Sequence, residues 1–306
     1  MSEIALNQTR QSDFVKSKSI FAPFGQMCQE IKQKDMFSLF FYIIVRLAIL
    51  TSVATFAFII GYILYNGVEY LTPSLFEWTY TSENVSMMPA IINTITMVLL
   101  SLLIATPIAI FGAVFLEEYA NSKSRSVQLI VVAAETLTGI PSIVYGLFGY
   151  LAFVIYFGLG LSFVAGALTL AIMVLPLILR NTQEAIKAVP IMYKEASFGL
   201  GAGRLRTIFV IILPCAISGI LAGVILSVGR IVGESAALLY TAGTVAQVAD
   251  FGDSGRTLSV HMYALLSEGQ YMEQAYATAV VLLIIVIGIN FVSNVLARYF
   301  NPNNLK

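Results

Sequence analysis

Six stretches of the chain stay apolar for about twenty residues or longer, at about 38–65, 90–116, 128–156, 161–180, 214–239 and 274–297, and polar connections separate them. At 1.5 Å of rise per residue each is long enough to cross a hydrocarbon core of about 30 Å as a helix. The pattern predicts an all-α integral membrane protein with six transmembrane helices. Residues 1–37 form a polar N-terminal tail, 38–300 the membrane domain and 301–306 a short C-terminal tail.

The interruptions carry as much information as the runs. Gly139-Ile140-Pro141-Ser142 breaks the third run in its middle and predicts a bent helix, because backbone groups freed at membrane depth must pack on protein or face water. Gly219 with Gly223, and Gly229 with Gly233, form two small-xxx-small pairs in the fifth run that favour close helix contact, within the subunit or across to a second one. Pro107 and Pro176 sit inside the second and fourth runs.

Composition and charge orient this array. With 58% hydrophobic and 11% charged residues and a mean hydropathy of +0.86, the chain has too little polar surface for a water-soluble domain. Its zero net charge speaks against a nucleic-acid partner and leaves membrane lipid as its surroundings. Of seventeen Lys and Arg residues only Arg256 falls in an assigned outer connection, which places both termini and the 190–214 connection in the cytoplasm. Arg10, Lys16, Lys18, Lys32 and Lys34 mark the N-terminal tail, where Phe21 to Ile31 suits a surface-lying helix, and Arg46 suits an inner-leaflet anchor. The outer connections are 67–88, with Glu69, Glu77, Glu83, Trp78 and Tyr80, and 241–272, where lone His261 is expected at the surface. Residues 1–36 lack an apolar core, so the first run is expected to serve as its own insertion signal. Cys28 and Cys215, in the tail and at a membrane entry, do not suit a disulfide.

Four ionisable residues fall in or at the ends of the runs: Glu135, Arg180, Arg230 and Glu234. A charge at the bilayer centre costs at least ~2.5 kcal/mol, so each needs a partner, a route to water or a task. Arg230 and Glu234 are four apart, which on one helix gives a shared face and either a structural ion pair or a guanidinium fork held toward an oxyanion pathway. Arg180 is an inner-leaflet anchor or the lining of a cytoplasmic mouth. Glu135 is a partner for Arg180 or Arg230, a protonated carboxyl, or, like Arg180, Arg230 and Glu234, a residue of the substrate pathway or its gate.

The stretch from Glu195 to Pro214, EASFGLGAGRLRTIFVIILP, predicts a helix, a glycine turn and a second helix starting near Arg204, with Gly199, Gly201 and Gly203 open to positive φ. Glu195-Ala196, Gly201 six residues after the Glu, Ile211 ten beyond that Gly, and Leu213-Pro214 resemble the EAA loop of ATP-binding-cassette importer permeases; Ser197 departs from the family's usual Ala. The resemblance implies a type I importer permease fold in which Glu195, Ala196, Gly201, Arg204, Arg206, Leu213 and Pro214 dock on a separate ATPase. Leu116-Glu117-Glu118-Tyr119, Gly139 to Gly146, Pro176 to Thr182 and Arg230 to Leu239 are similar to the PstA-type permeases of phosphate importers. That likeness implies inorganic phosphate as substrate, passage past Arg180 and Arg230, a PstC-type second permease, a dimer of PstB-type ATPases and an external phosphate-binding protein.

No G-x-x-x-x-G-K-[ST] loop occurs, so ATP and Mg would belong to the partner, with no cofactor or metal on this chain and no catalytic residue. The alternatives are a permease of the same build for sulfate, molybdate or phosphonate, whose Arg-x-x-x-Glu pair looks similar, and an ATP-independent channel or secondary carrier. The last is disfavoured by the EAA-like loop and by the lack of an internal repeat.

Overall fold

The structure is a computed structural model that describes residues 36–121 and 124–299. The expected tail helix, Cys28, Lys123 and the C-terminal tail lie outside the described residues. Every element described is helical. Five helices are long and apolar enough to cross a membrane, and a bent pair makes a sixth if it counts as one span.

Helix α1 (Met36–Gly67) is apolar all round, and Arg46 places its guanidinium 5.1 Å from the ring centre of Tyr42 one turn earlier. The chain divides into two compact units at Tyr62 and Ile63, inside α1. The second unit holds everything that follows.

Within that unit α5 (Phe163–Lys187) is the central post. In its most apolar window 67% of residues are buried, against 33% for the span containing α2 (Met88–Val114) and 28% for the span that ends in α8 (Leu213–Val232). Small residues explain why the posts can approach. Ala105, Ala109 and Ala113 recur every four residues and leave α2 a smooth stripe, into which α5 sets Leu170, Met173, Val174 and Ile178, all fully or almost fully buried. On the other side, a Cβ added to Gly219 would come within 2.5 Å of Ala185 Cβ, and one added to Gly223 within 2.6 Å of Asn181 Cβ. This small-residue pair thus packs α8 on α5 inside the subunit, whereas added Cβ atoms at Gly229 and Gly233 would meet no neighbouring side chain. Gly223→Leu is expected to force the two posts apart, costing about 1–3 kcal/mol by overpacking and lowering the melting temperature in detergent, while Gly229→Leu leaves it close to wild type.

The third run is two segments. Helix α3 (Arg125–Thr138) and helix α4 (Ser142–Gly149), which continues as a π-helical stretch over Tyr150–Tyr156, meet at 107°. The break falls at 139–142, as the sequence predicts, and it is a corner sharper than a kink. Ile140 and Val144 still donate to Leu137 and Pro141, and the Tyr145 hydroxyl reaches back 2.8 Å to the Leu137 carbonyl. The backbone carbonyls released by Pro141 are thereby partly satisfied within the protein. Gly146 lets α4 meet helix α9 (Ala236–Thr241), since an added Cβ would lie 2.8 Å from Ala237 Cα.

Two boundaries differ from the reading of the sequence. Helix α5 runs seven residues past the expected end at Arg180, to Lys187; its polar side chains there are satisfied, Arg180 by Glu184 and Glu135, Asn181 by the Leu177 carbonyl and Gln183 by Glu117. The fifth run, expected to continue to 239, ends at Val232; Gly233 closes α8 and α9 follows after a corner.

At the end of the unit where α5 begins, the connection from α9 to α10 (Leu258–Glu268) is laced to α2. The Asn93 side chain donates to the carbonyls of Gln247 and Arg256 and accepts from the Ala249 N–H, and Thr94 accepts from the Leu258 N–H. Helix α11 (Met272–Tyr299) then returns along the bundle. His261 on α10 is fully buried, not at the surface: its ring meets Tyr80 edge-on, with centroids 6.2 Å apart. Its burial depends on Tyr80, distant in sequence, and so does not show in the local pattern. Burial, with Arg256 nearby, pushes its pKa down to about 3. An unfolded imidazole titrates near 6.5, so the folded chain forgoes a proton that the unfolded chain binds; stability is full above pH 6.5 and falls as pH drops toward 3, by up to about 1.4 kcal/mol per pH unit. Thermal melting of wild type and His261→Phe between pH 7 and 5 checks this, the wild type losing more.

Candidate functional site

At the opposite end of α5 stands a helical hairpin. Helix α6 (Ile191–Gly199) starts after Pro190, and helix α7 (Arg204–Thr207) runs through a π-helical turn over Ile208–Ile212 into α8. The wide turn precedes Pro214, which has no N–H for a regular helical bond. Of the three glycines expected to be open to positive φ, Gly201 alone adopts it, at +81°. The Ala202 N–H reaches the Ser197 carbonyl at 3.1 Å, and the buried hydroxyls of Ser197 and Thr207 bond at 2.8 Å, tying the two arms. Ser197, the departure from the EAA pattern, is therefore the residue that closes the hairpin. Glu195, Ala196, Arg204 and Arg206 are exposed, Leu200 at the tip is 90% exposed, and a shallow cavity of about 460 Å³ lies between Tyr193, Leu200, Arg206 and Ile211. Leu213 and Pro214 lie where the second arm enters α8.

The π-helical turn Phe115–Tyr119 that ends α2 grips this hairpin. Glu118 is almost fully buried and pairs with Lys194 of α6. Glu117 accepts from Gln183 at 3.0 Å and pairs with Lys187 at 3.2 Å, and Arg204 lies 5.0 Å over the Tyr119 ring. Sequence reasoning placed Glu117 and Glu118 at a span end without assigning them work. The available signal was two adjacent carboxylates at the end of one apolar run, with Lys187 and Lys194 beyond the end of another.

Arg180 and Glu135 come together. The guanidinium of Arg180 pairs with Glu135 of α3 and, at 3.1 Å, with Glu184 one turn along α5. Two carboxylates on one Arg leave the trio with a net negative charge at a half-open position. It latches α3 to the central post and is not a ready anion cradle. Of the readings of Glu135 and Arg180, the ion pair is the one the geometry displays.

Arg230 and Glu234 do not come together. The shared face presupposed a continuous helix, and α8 ends at Val232, so Glu234 turns away. Its carboxylate instead accepts from the Ala237 N–H at 3.0 Å, capping α9, and its carbonyl accepts from Ser259 at 2.6 Å. Glu234 is buried and structural in this arrangement. Arg230 is half-buried, in the last turn of α8, where the helix dipole favours a cation. Its charge acts on the Tyr145 hydroxyl, and among the described residues no carboxylate lies within ion-pair distance. The structure thus pairs Glu135 with Arg180, sets Glu234 on the first turn of α9 and leaves Arg230 without a carboxylate partner among the described residues. Among the described residues no group of three His, Cys, Asp or Glu side chains could hold a metal ion.

Residues 105–306 match the family model of the binding-protein-dependent transport system inner membrane component. A probable ABC transporter permease protein, YqgI of Bacillus subtilis, is 34% identical over 68% of this chain and 76% of its own. The phosphate transport system permease protein PstA of Pasteurella multocida is 32% identical over 91% of this chain and 98% of its own. Among solved structures, a bacterial transporter importing the acidic polysaccharide alginate aligns with a TM-score of 0.63 at 16% identity over 90% of this chain and 99% of that one. An inward-facing MetNI methionine transporter aligns at 0.55 and 21% over 70% and 94%. At such identities the structural likeness speaks for the fold alone.

Proposed function

Because this chain belongs to the inner-membrane permease family of binding-protein-dependent ABC importers, whose members work with an ATPase and a substrate-binding protein, we propose that its substrate is inorganic phosphate. The observation that carries the substrate reading is the match along nearly the whole chain to a phosphate permease. Fold neighbours that import methionine or alginate do not bear on it.

The site supports an oxyanion as cargo. Arg230 keeps a planar fork of donors without an internal carboxylate, in the span of α8, where attraction for a phosphate oxygen is undiluted. Arg180 carries two carboxylates of its own and serves as a latch whose opening would present a second cation. Weak, successive contacts suit a transporter, which must release what it binds. Glu135 holds the latch, and Glu234 sets the corner that presents Arg230.

In this reading the hairpin from Glu195 to Arg206 faces the cytoplasm and sits on a PstB-type ATPase, with a PstC-type permease as the second half and an external phosphate-binding protein as donor. ATPase closure would push the exposed tip at Leu200. Lys194 and Glu118 would carry the push into α2, and Gln183 with Lys187 into α5. Two discrete packings of these posts give alternating access. The chain itself performs no hydrolysis.

The test is labelled phosphate uptake by phosphate-starved cells with and without the gene, challenged with arsenate, sulfate, molybdate or a phosphonate. Gene-dependent uptake that only arsenate suppresses supports phosphate. Full competition by sulfate or molybdate would reassign the cargo within the same architecture.

A further inference from the structure

We propose that Arg256 and His261, with Tyr80 over them, form a second anion-holding site at the end of the bundle opposite the hairpin, and that its ligand is a small inorganic oxyanion. The location follows from α5. Its first residues receive the 241–258 connection, Ser162 and Phe163 donating to the carbonyls of Thr241 and Asp253, while its last residues meet the hairpin side. The site goes beyond the role given to Arg230 and does not require it.

Arg256 is only 4% exposed, yet its Nε and Nη2 have no hydrogen-bond partner in the chain. Among the described residues no carboxylate lies within ion-pair distance of it. The Tyr80 ring covers one face of the guanidinium, with the carbon 4.6 Å from the ring centre. A ring on the face leaves the edge, and the Nε–Nη2 edge is a side that grips two oxygens of an oxyanion at once. Arginine keeps its proton in proteins, so a buried guanidinium without a carboxylate takes its compensating charge from a ligand.

His261 supplies the second wall. It is fully buried, both ring nitrogens lack partners in the chain, and it feels the Arg256 charge. The donor set is therefore a guanidinium edge and an imidazole N–H, with no carboxylate to attract a cation. Both side chains are held on a fixed backbone. The Arg256 N–H binds the Val245 carbonyl at 3.0 Å, its carbonyl accepts from Asn93 at 3.1 Å, and the His261 N–H binds the Thr257 carbonyl at 2.8 Å. Tyr80 is half-buried on the connection after α1, packed against the cluster of Val85, Leu265 and Ala275, so its ring is the wall of the site nearest solvent. Ser259, between the two, donates to the Glu234 carbonyl at 2.6 Å and links this site to the corner that follows Arg230.

The experiment is hydrogen exchange of the backbone amides of residues 257–263 in the full importer, purified in nanodiscs, with inorganic phosphate, sulfate or chloride added. The expected result is at least fivefold slower exchange of this segment with phosphate or sulfate and no change with chloride. Arg256→Gln should lose that protection, His261→Phe should weaken it severalfold, and Arg230→Ala should keep it. Exchange unmoved by either oxyanion, protection by chloride alone, or protection surviving in Arg256→Gln would each overturn the site. Should Arg256→Gln fail to assemble, Arg256→Lys and His261→Phe decide: weaker protection in both supports it, and wild-type protection in both overturns it. Failure here leaves the uptake assay untouched, and a reassigned cargo there leaves this protection to be judged on its own.

Discussion

Arg230→Ala is expected to reduce phosphate uptake by on the order of a hundredfold while the transporter still assembles. The magnitude comes from losing charge-assisted hydrogen bonds, worth about 1.5–3 kcal/mol each, against about 1.4 kcal/mol per tenfold in rate or affinity. Assembly survives because Arg230 has no carboxylate partner to orphan, and its contribution as a dipole-matching cation at the end of α8 is only about 0.3–1 kcal/mol. Arg230→Lys should fall between, keeping the charge and losing the fork. Measuring initial uptake rates beside the amount of complex recovered from membranes separates the two effects. Wild-type uptake in Arg230→Ala would remove Arg230 from the pathway. Arg180→Ala is expected to act differently: it frees Glu135 and Glu184, loosens the corner after α3, and shows as leak or lowered coupling more than as lost affinity.

Gly201→Val is expected to raise the ATP hydrolysed per phosphate moved severalfold, with Arg230 and its surroundings untouched. At φ +81° a Val side chain costs on the order of 1–2 kcal/mol, enough to reshape the turn that sets the angle between α6 and α7. No atom lies within 4 Å of a Cβ built on Gly201, so crowding is not the cause. Gly201→Asn, which tolerates the left-handed region, should therefore keep near-normal coupling. Normal coupling in Gly201→Val would count against the hairpin as the relay, and equal damage from Asn and Val would point to contact with the partner in place of backbone strain. The measurement is ATPase turnover divided by phosphate transport in one vesicle preparation.

Much of this architecture is legible in the sequence, since bilayer crossing leaves a coarse signal. The Gly139–Pro141 break and the helix-turn-helix around Gly201 follow from local chemistry and stand where expected, and so do the apolar runs, apart from the ends of the fourth and fifth. The spacing of Gly219 and Gly223 foretold close packing, although only contact with Ala185 and Asn181 says that the neighbour is α5 of the same chain. The misreadings share a cause. Pairing Arg230 with Glu234 assumed that helix periodicity continues through Gly233, where one backbone corner rotates the next side chain to cap α9. His261 was placed at the surface because a lone His in a polar connection looks solvated, and its burial depends on Tyr80, far away in sequence. The grip of Glu118 on Lys194 and of Glu117 on Gln183 spans 76 and 66 residues, so no local pattern could display it.

The central claim is ATP-driven inward movement of phosphate through this subunit, and the most direct measurement is transport by the reconstituted complex. Proteoliposomes carrying this chain with its second permease and ATPases, ATP inside the lumen that stands for the cytoplasm, and phosphate-loaded binding protein outside, should accumulate labelled phosphate above its outside concentration. That accumulation should need hydrolysable ATP and fall to background with Arg230→Ala. Phosphate entry that runs at the same rate without ATP, or ATP-driven entry of sulfate but not phosphate in the same vesicles, would contradict the account.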